Sequence, residues 1–186
     1  PLIAESNARN DKNKTKSILS NGIIICSILG LILTALVLIF KPIIYYMGQP
    51  EIVVSLAYPY ITLVAISLFP LIIFQSFKQF SDGLSFTKIA MISTVIANII
   101  NVVLNYILIY GEFGFPRLEL VGAGIGTLIS RFIMVLLIIY LIKSNAKINQ
   151  YINNLFSFEY SSKIIKKIFN LGYPSALQMM FEVGFF

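Results

Sequence analysis

The sequence predicts an all-α fold, a polytopic bundle of transmembrane helices, and three observations point to it. Hydrophobic residues make up 58% of the 186 residues and charged residues only 12%, whereas soluble domains average about 25% charged residues. Four apolar tracts, at residues 18–40, 52–77, 89–110 and 121–142, are each long enough for an α-helix to cross a bilayer core of ~30 Å. The loops between them are alternately rich and poor in Lys and Arg.

The distribution of Lys and Arg predicts the orientation of the helices. Loops 7–21, 78–88 and 143–170 contain four, two and five of these residues, whereas loops 41–51 and 111–120 contain one each. The positive-inside rule places the first three loops in the cytoplasm. We therefore expect a multi-pass protein of the cytoplasmic (inner) membrane. Its net charge of +6 comes from basic loop residues that we expect to contact lipid head-groups rather than nucleic acid.

The connections between the apolar tracts predict where each helix ends. Residues 6–21 are polar and are expected to form a connector that follows the last turn of a preceding helix. Pro59 and Pro70 are expected to kink the second span, and Asp82-Gly83 is expected to be the turn after it. A fifth span begins near residue 171, and we expect the sequence to be a piece of a longer membrane protein.

The stretch 143–170 contains two amphipathic patterns. Apolar residues recur at helical spacing in both patterns, first at Ile148, Tyr151, Ile152 and Leu155, then at Ile164, Ile165, Ile168 and Phe169. Because lysines accompany them, they predict two basic helices that lie on the cytoplasmic membrane surface and join two halves of the protein. A segment that binds a partner protein is the alternative.

Several kinds of chemistry lack the residues they need. The chain has no histidine, and its one cysteine, Cys26, lies in an apolar tract where a packing role is expected. The sequence has no cluster of His and Cys, no pair of carboxylates on one helix and no phosphate-binding loop. We therefore expect neither an enzyme nor a bound cofactor.

Glu182 is the acidic residue that the apolar pattern singles out. It lies about two to three turns into the last apolar stretch, 171–186. A carboxylate at bilayer depth costs roughly 2.5–3.5 kcal/mol on insertion scales, so it should face a cavity or a partner. If ionised it would bind a cation such as Na⁺, and if protonated it would carry H⁺. The alternative is that the helix ends early and leaves Glu182 near the far interface.

Asn98, Asn101 and Asn105 place three side-chain amides on one face of the third span. Lipid cannot satisfy their hydrogen bonds. They either bond to neighbouring helices or line a polar cavity that holds a cation or a substrate, and the spacing leaves both interpretations open.

Small and charged residues mark other helix faces. Gly122 and Gly126 form a GxxxG pattern that favours close helix packing over nucleotide binding, because it opens an apolar helix. Arg131, in the same span, is expected to pair with a helix carbonyl or a carboxylate, or to face a watery cavity. The polar cluster at the end of the second span is expected to be a solvated helix end: Gln75, Lys78 and Gln79.

Five stretches occur in an order and spacing typical of one family. They are Pro1-Leu2-Ile3-Ala4-Glu5, Asn98–Asn101 with Asn105 and Tyr106, Gly111 with Gly114, Gly122–Thr127, and Leu171–Gln178 followed by Glu182. Over nearly its whole length the chain resembles the multidrug and toxic compound extrusion (MATE) transporters. Their fold has twelve helices in two lobes, so the chain would run from the end of helix two to the start of helix seven. Residues 1–142 would belong to the N-terminal lobe, 143–170 would link the lobes in the cytoplasm, and 171–186 would begin the C-terminal lobe.

The resemblance also implies roles for individual residues. Glu182 matches the acidic position that family members use for the coupling cation, Na⁺ or H⁺. Asn101, Asn105 and Thr127 match an N-lobe cation site, with Asn98 beside them as a further lining residue. Some members have aspartate where Asn105 stands, so this chain carries less negative charge there. Conversely, Glu5 carries a negative charge where glutamine is frequent.

The implied function is a secondary active antiporter that exports drugs or organic cations in exchange for Na⁺ or H⁺. Its partners would be a small cationic substrate and the lipid bilayer, without nucleic acid, and we expect a monomer. The alternative within the superfamily is a flippase of lipid-linked oligosaccharide, which a wider, arginine-lined cavity would favour and which the single intramembrane arginine, Arg131, disfavours. A membrane-embedded enzyme would need paired acids or a histidine, and a scaffold would fold without moving a substrate.

Overall fold

The computed structural model describes residues 2–152 and 160–184, and these residues are almost entirely helical. The α-helices are α1 (Leu2–Ala8), α2 (Lys12–Phe40), α3 (Glu51–Gly83), α4 (Thr87–Tyr110), α5 (Glu119–Ser144), α6 (Ala146–Ile152) and α7 (Ser162–Gly184). Short 3₁₀ turns follow α2 and α4, at Lys41–Tyr46 and Glu112–Gly114. The predicted all-α fold class is confirmed.

Four helical segments are long and apolar enough to cross a membrane. They are Lys12–Tyr46, Glu51–Gly83, Thr87–Tyr110 and Glu119–Ser144, with mean hydropathy between 2.0 and 3.1. The outer half of α2 leaves large apolar side chains uncovered, among them Ile39, which is 69% exposed. Only lipid or further apolar protein surface can cover such a face.

The first transmembrane helix begins earlier than the sequence predicted. The expected connector at residues 6–21 is wrong, because α2 already starts at Lys12. Asp11 stabilises that start, since its carboxylate accepts a hydrogen bond from the backbone N–H of Lys14 at 3.0 Å. The hydroxyl of Thr15 donates to the hydroxyl of Ser6 at 2.9 Å, which packs α1 against the first turn of α2.

The third helix is also longer than predicted. Both prolines lie inside α3, which continues through the expected Asp82-Gly83 turn to Gly83. The chain reverses at Leu84 to Phe86 instead, where Ser85 adopts a positive φ of 67°. The end of the fourth helix, by contrast, is where the sequence placed it, because Gly111 takes a left-handed conformation (φ 75°) that caps α4.

Helix α5 packs against both α3 and α4, and α2 packs against α3. The glycines of α5 set these contacts. A Cβ on Gly122 would lie 2.6 Å from the carbonyl oxygen of Leu108, and one on Gly126 would overlap the amide oxygen of Asn105. The packing interpretation of the GxxxG pattern is therefore confirmed.

The described core gathers at the predicted cytoplasmic end of the bundle. It contains Phe74, Phe77 and Phe80 of α3, Ile138 and Ile142 of α5, and the apolar face of α6. Helix α6 is amphipathic as expected, but its predicted position on lipid is wrong. Ile148 is 0% exposed and Tyr151 is 8% exposed, because they pack on protein. Leu155, the last member of that pattern, lies outside the described residues.

The second amphipathic pattern and the fifth span form one continuous helix, α7. The sequence pattern predicts a surface helix followed by a separate span beginning near residue 171, and that division is wrong. The start of α7 is fastened to α2, because the backbone N–H of Ser161 donates a 3.0 Å hydrogen bond to the side chain of Asn21. From Phe169 to Gly184 every residue of α7 is exposed.

Candidate functional site

A polar cavity of about 370 Å³ lies between α3, α4 and α5. Its floor and walls include apolar side chains such as Phe74 and Met134. The polar lining comes from all three helices: Gln75 and Lys78 of α3, Thr94, Asn98 and Asn101 of α4, and Thr127, Ser130 and Arg131 of α5. Three of the four asparagine and threonine residues predicted for this lobe therefore share one cavity: Asn98, Asn101 and Thr127.

A chain of side-chain hydrogen bonds joins α4 to α5 beside the cavity. The amide of Asn105 donates to the amide oxygen of Asn101 at 3.2 Å. Asn101 in turn donates to the hydroxyl of Ser130 at 2.9 Å, and that hydroxyl donates to the carbonyl of Gly126 at 2.7 Å. Asn101 therefore forms an interhelical hydrogen bond and also lines the cavity.

Oxygen atoms for a cation are present, but they are neutral. The hydroxyl of Thr127 donates to the carbonyl of Ala123 at 2.8 Å, which leaves its lone pairs available as acceptors. The amide oxygen of Asn105 is buried and accepts no hydrogen bond from the described residues. It lies against Gly126, whose missing side chain leaves room for it.

Arg131 lies at the midpoint of α5 and lines the cavity. Its guanidinium donates a 2.6 Å hydrogen bond to the hydroxyl of Ser67 on α3. Ser67 is fully buried, and its hydroxyl donates a hydrogen bond to the carbonyl of Val64 at 2.7 Å. Of the three environments expected for Arg131, the cavity is confirmed, whereas a hydroxyl takes the place of the expected carbonyl or carboxylate.

Two of the three residues at the expected solvated end of the second span also belong to the cavity. Gln75 and Lys78 line the same cavity as Arg131. Gln75 lies within the predicted span, and Lys78 reaches the cavity because α3 continues past the end of that span to Gly83. The α3 residues that line the cavity recur at helical spacing: Leu71, Phe74, Gln75 and Lys78. This spacing places them on one helix face and could have been read from the sequence.

The lining of the cavity is electropositive. Arg131 and Lys78 are cationic, and none of the described lining residues is an aspartate or glutamate. Two like charges in a site of low dielectric oppose a further cation. Among residues 2–152 and 160–184, no group of three or more His, Cys, Asp or Glu side chains could hold a metal ion.

Glu182 lies apart from this cavity, on the exposed part of α7. Its carboxylate accepts a 3.1 Å hydrogen bond from the side chain of Gln178, one turn earlier. The structure therefore brings Asn98, Asn101, Asn105 and Thr127 into one region of the bundle and leaves Glu182 elsewhere. Its role in binding the coupling cation stays a prediction.

Sequence reasoning missed a second polar cluster, at the opposite end of the bundle. Lys41 lies with its ammonium 3.3 Å from the centre of the Tyr58 ring and donates to the hydroxyl of Thr62. Tyr45 packs on Tyr58 with ring centres 5.5 Å apart. An open depression of about 540 Å³ beside Tyr45 is lined by polar residues that include Glu51.

Comparison with known proteins decides which family this bundle represents. The model of the MatE family matches residues 1–107, more than half of the chain. The chain belongs to the MatE family. Together with the four apolar helices, this membership makes it a multi-pass membrane protein.

Relatives of this MatE chain are similar along its whole length. It is 30% identical over 187 residues to the multidrug resistance protein NorM of Vibrio cholerae, which it matches with 100% of its own residues. It is 25% identical over 189 residues to the probable multidrug resistance protein NorM of Bacillus subtilis. The chain spans 41% of the length of each of these relatives.

Solved structures of MatE proteins share the fold. One is described as the inward-facing conformation of a multidrug resistance MATE family transporter of the MOP superfamily. It is 28% identical, with a TM-score of 0.78 over 95% of this chain and 39% of that one. A second, described as MATE in the bent conformation, is 29% identical, with a TM-score of 0.77 over 96% of this chain and 39% of that one. These coverages agree with one lobe of a two-lobe transporter.

Proposed function

We propose that this chain is part of a secondary active transporter that exports drugs or organic cations across the cytoplasmic membrane in exchange for Na⁺ or H⁺. One observation carries the proposal: four membrane-length helices are arranged as in a multidrug resistance MATE transporter around a polar cavity. A soluble molecule needs such a water-accessible polar path to cross a bilayer.

In the proposed mechanism, Glu182 holds the coupling cation. A Na⁺ ion or proton would bind its carboxylate from outside and release the exported molecule, after which the two lobes rock to expose the cavity to the cytoplasm. The membrane potential contributes ~2.3 kcal/mol per charge per 100 mV to such a cycle. Arg131 and Lys78 support a coupling site outside the described cavity, since their charges oppose the binding of Na⁺ or a proton as the coupling ion there.

The full-length protein in liposomes tests the function. Export of ethidium, a permanent cation, is measured under a Na⁺ gradient alone and under a pH gradient alone. We expect export under one of them, and export under neither would contradict the function. Glu182→Gln should reduce gradient-driven export to the level of protein-free liposomes. Glu112→Gln, which alters an exposed carboxylate after α4, is the matched control, and unimpaired export by Glu182→Gln would refute the role of Glu182.

The second candidate function is translocation of a lipid-linked oligosaccharide. The positive charges of Arg131 and Lys78 in one cavity favour it, because the phosphates of such lipids are anionic. Movement of a fluorescent lipid-linked oligosaccharide between the leaflets of the same liposomes, without ethidium export, would select this candidate.

A further inference from the structure

We infer that the cavity between α3, α4 and α5 binds an anionic group of the transported molecule, with Arg131 as its deep ligand and Lys78 as the positive charge that it meets first, at the cytoplasmic mouth. The inference rests on the proposed function and deepens it, because it names the chemical group that this cavity recognises. A carboxylate or a phosphate would fit the description equally.

The deep end of the cavity carries an uncompensated charge. Arg131 lies half-buried at the midpoint of a membrane-length helix, and its guanidinium donates a hydrogen bond to the neutral hydroxyl of Ser67. A guanidinium has five N–H donors in a planar fork that suits two oxygen atoms of one anion. Charged residues at this depth are paired or functional, and the described part of the chain supplies no acid to Arg131.

The mouth of the cavity carries the second charge. Lys78 lies on the same face of α3 as Ser67, about 16 Å further toward the cytoplasm at 1.5 Å per residue. Within residues 2–152 and 160–184, the ion pairs join Glu5 to Arg9, Arg117 to Glu119 and Lys167 to Glu5, so none involves either cavity cation. An anion entering from the cytoplasm would therefore meet Lys78 first and Arg131 second.

Neutral donors complete the lining. Gln75 and Asn98 are exposed to the cavity, and their amide N–H groups can donate to the same anionic oxygens. Asn101 is already committed to Ser130. The volume of about 370 Å³ is within the range of small-molecule sites, which starts at roughly 300 Å³.

Two dyes that differ in one charge test this inference. Rhodamine 19 carries a free carboxylate, and rhodamine 6G carries its ethyl ester. Binding to purified full-length protein in detergent is followed by fluorescence anisotropy. We expect the acid to bind about tenfold more tightly than the ester, as one charged hydrogen-bonded contact implies. Arg131→Gln should abolish that preference, and Lys78→Gln should reduce it.

Three variants control for charge and folding. Arg117→Gln removes an exposed guanidinium outside the cavity and should leave the preference unchanged. Ser67→Ala removes the neutral partner of Arg131 and should also preserve it. Arg131→Lys keeps the positive charge but loses the planar guanidinium, so it should retain part of the preference for the acid. Lys78→Gln changes a half-buried side chain near the end of α3, so it reports on the site even if Arg131→Gln misfolds.

Equal binding of the two dyes by the unmodified protein would overturn the inference. An equal loss of both dyes in Arg131→Gln, with Lys78→Gln unchanged, would do the same. Displacement of rhodamine 19 by benzoate supports a soluble carboxylate as the ligand, and displacement by farnesyl phosphate instead supports a lipid phosphate at the same site. Because binding is measured without a gradient, failure of ethidium export would leave this result standing and would count against the proposed function alone.

Discussion

The side-chain oxygen of Asn21 on α2 accepts a 3.0 Å hydrogen bond from the backbone N–H of Ser161, just before α7. Asn21 is fully buried, and its amide also donates to the carbonyl of Ser17 at 2.8 Å. The side chain of Asn21 therefore connects the start of α7 to the first transmembrane helix through a hydrogen bond. If α7 begins the second lobe, this contact joins the two lobes at their cytoplasmic side.

Asn21→Ala should loosen the start of α7. It removes the hydrogen bond that the N–H of Ser161 donates, a bond of a kind that contributes about 0.5–1.5 kcal/mol. Trypsin should then cleave faster after Lys163, Lys166 and Lys167, as measured by mass spectrometry of the full-length protein. Asn13→Ala, an exposed position on the same helix, is the control, and equal cleavage of both variants would contradict the fastening role.

Gly126→Ala and Gly122→Ala should separate α5 from α4. The new Cβ would overlap the side chain of Asn105 in the first variant and lie 2.6 Å from the carbonyl of Leu108 in the second. Overpacking of this kind costs about 1–3 kcal/mol, and we expect Gly122→Ala to cost more, because backbone yields less easily than a side chain. Thermal unfolding in detergent measures both.

Gly22→Ala provides the opposite expectation for the same measurement. Nothing lies within 4 Å of a Cβ at Gly22, and alanine is favoured over glycine in a helix by roughly 0.5–1 kcal/mol. This variant should unfold at an equal or higher temperature. A shared loss of stability in all three variants would show that helix packing is not the cause.

Glu5→Gln should change little. Glu5 pairs with Arg9 at 3.2 Å and with Lys167 at 3.7 Å, but all three side chains are substantially exposed. Exposed pairs contribute about 0–1 kcal/mol, and salt screens them. The free energy of unfolding should fall by less than about 1 kcal/mol, and the difference should vanish at high salt. A larger, salt-insensitive loss would contradict this account.

Lys41→Met should destabilise the outer end of α2. It removes the ammonium that lies over Tyr58 and donates to Thr62, which we expect to cost about 0.5–2 kcal/mol. Lys41→Arg should retain most of that stability, since a guanidinium also stacks on an aromatic ring. Lys88→Met changes an exposed lysine and should leave the melting temperature unchanged, so an equal effect of both methionine variants would exclude the ring contact as the cause.

The four full apolar spans and the glycine packing face were predictable from the sequence, whereas the predicted fifth span, in α7, is not among the described helices that are long and apolar enough to cross a membrane. Each apolar tract must be helical in lipid whatever its neighbours are, because its backbone groups have no other partners there. The GxxxG pattern predicts close approach because only a glycine surface permits it. Helix ends were less predictable, as at Lys12 and Gly83, because polar residues can continue a helix once Asp11 or packing stabilises it.

The all-α fold class and the four apolar spans follow from the amino-acid sequence alone. The contacts of the polar residues in those spans depend on how the helices pack: Arg131 bonds to Ser67, and Lys78 lines the cavity. Likewise, Ile148 is buried in protein rather than in lipid. The physical reason is that hydrophobicity and spacing are properties of one helix, whereas a cavity depends on the rotation and depth of several helices against each other.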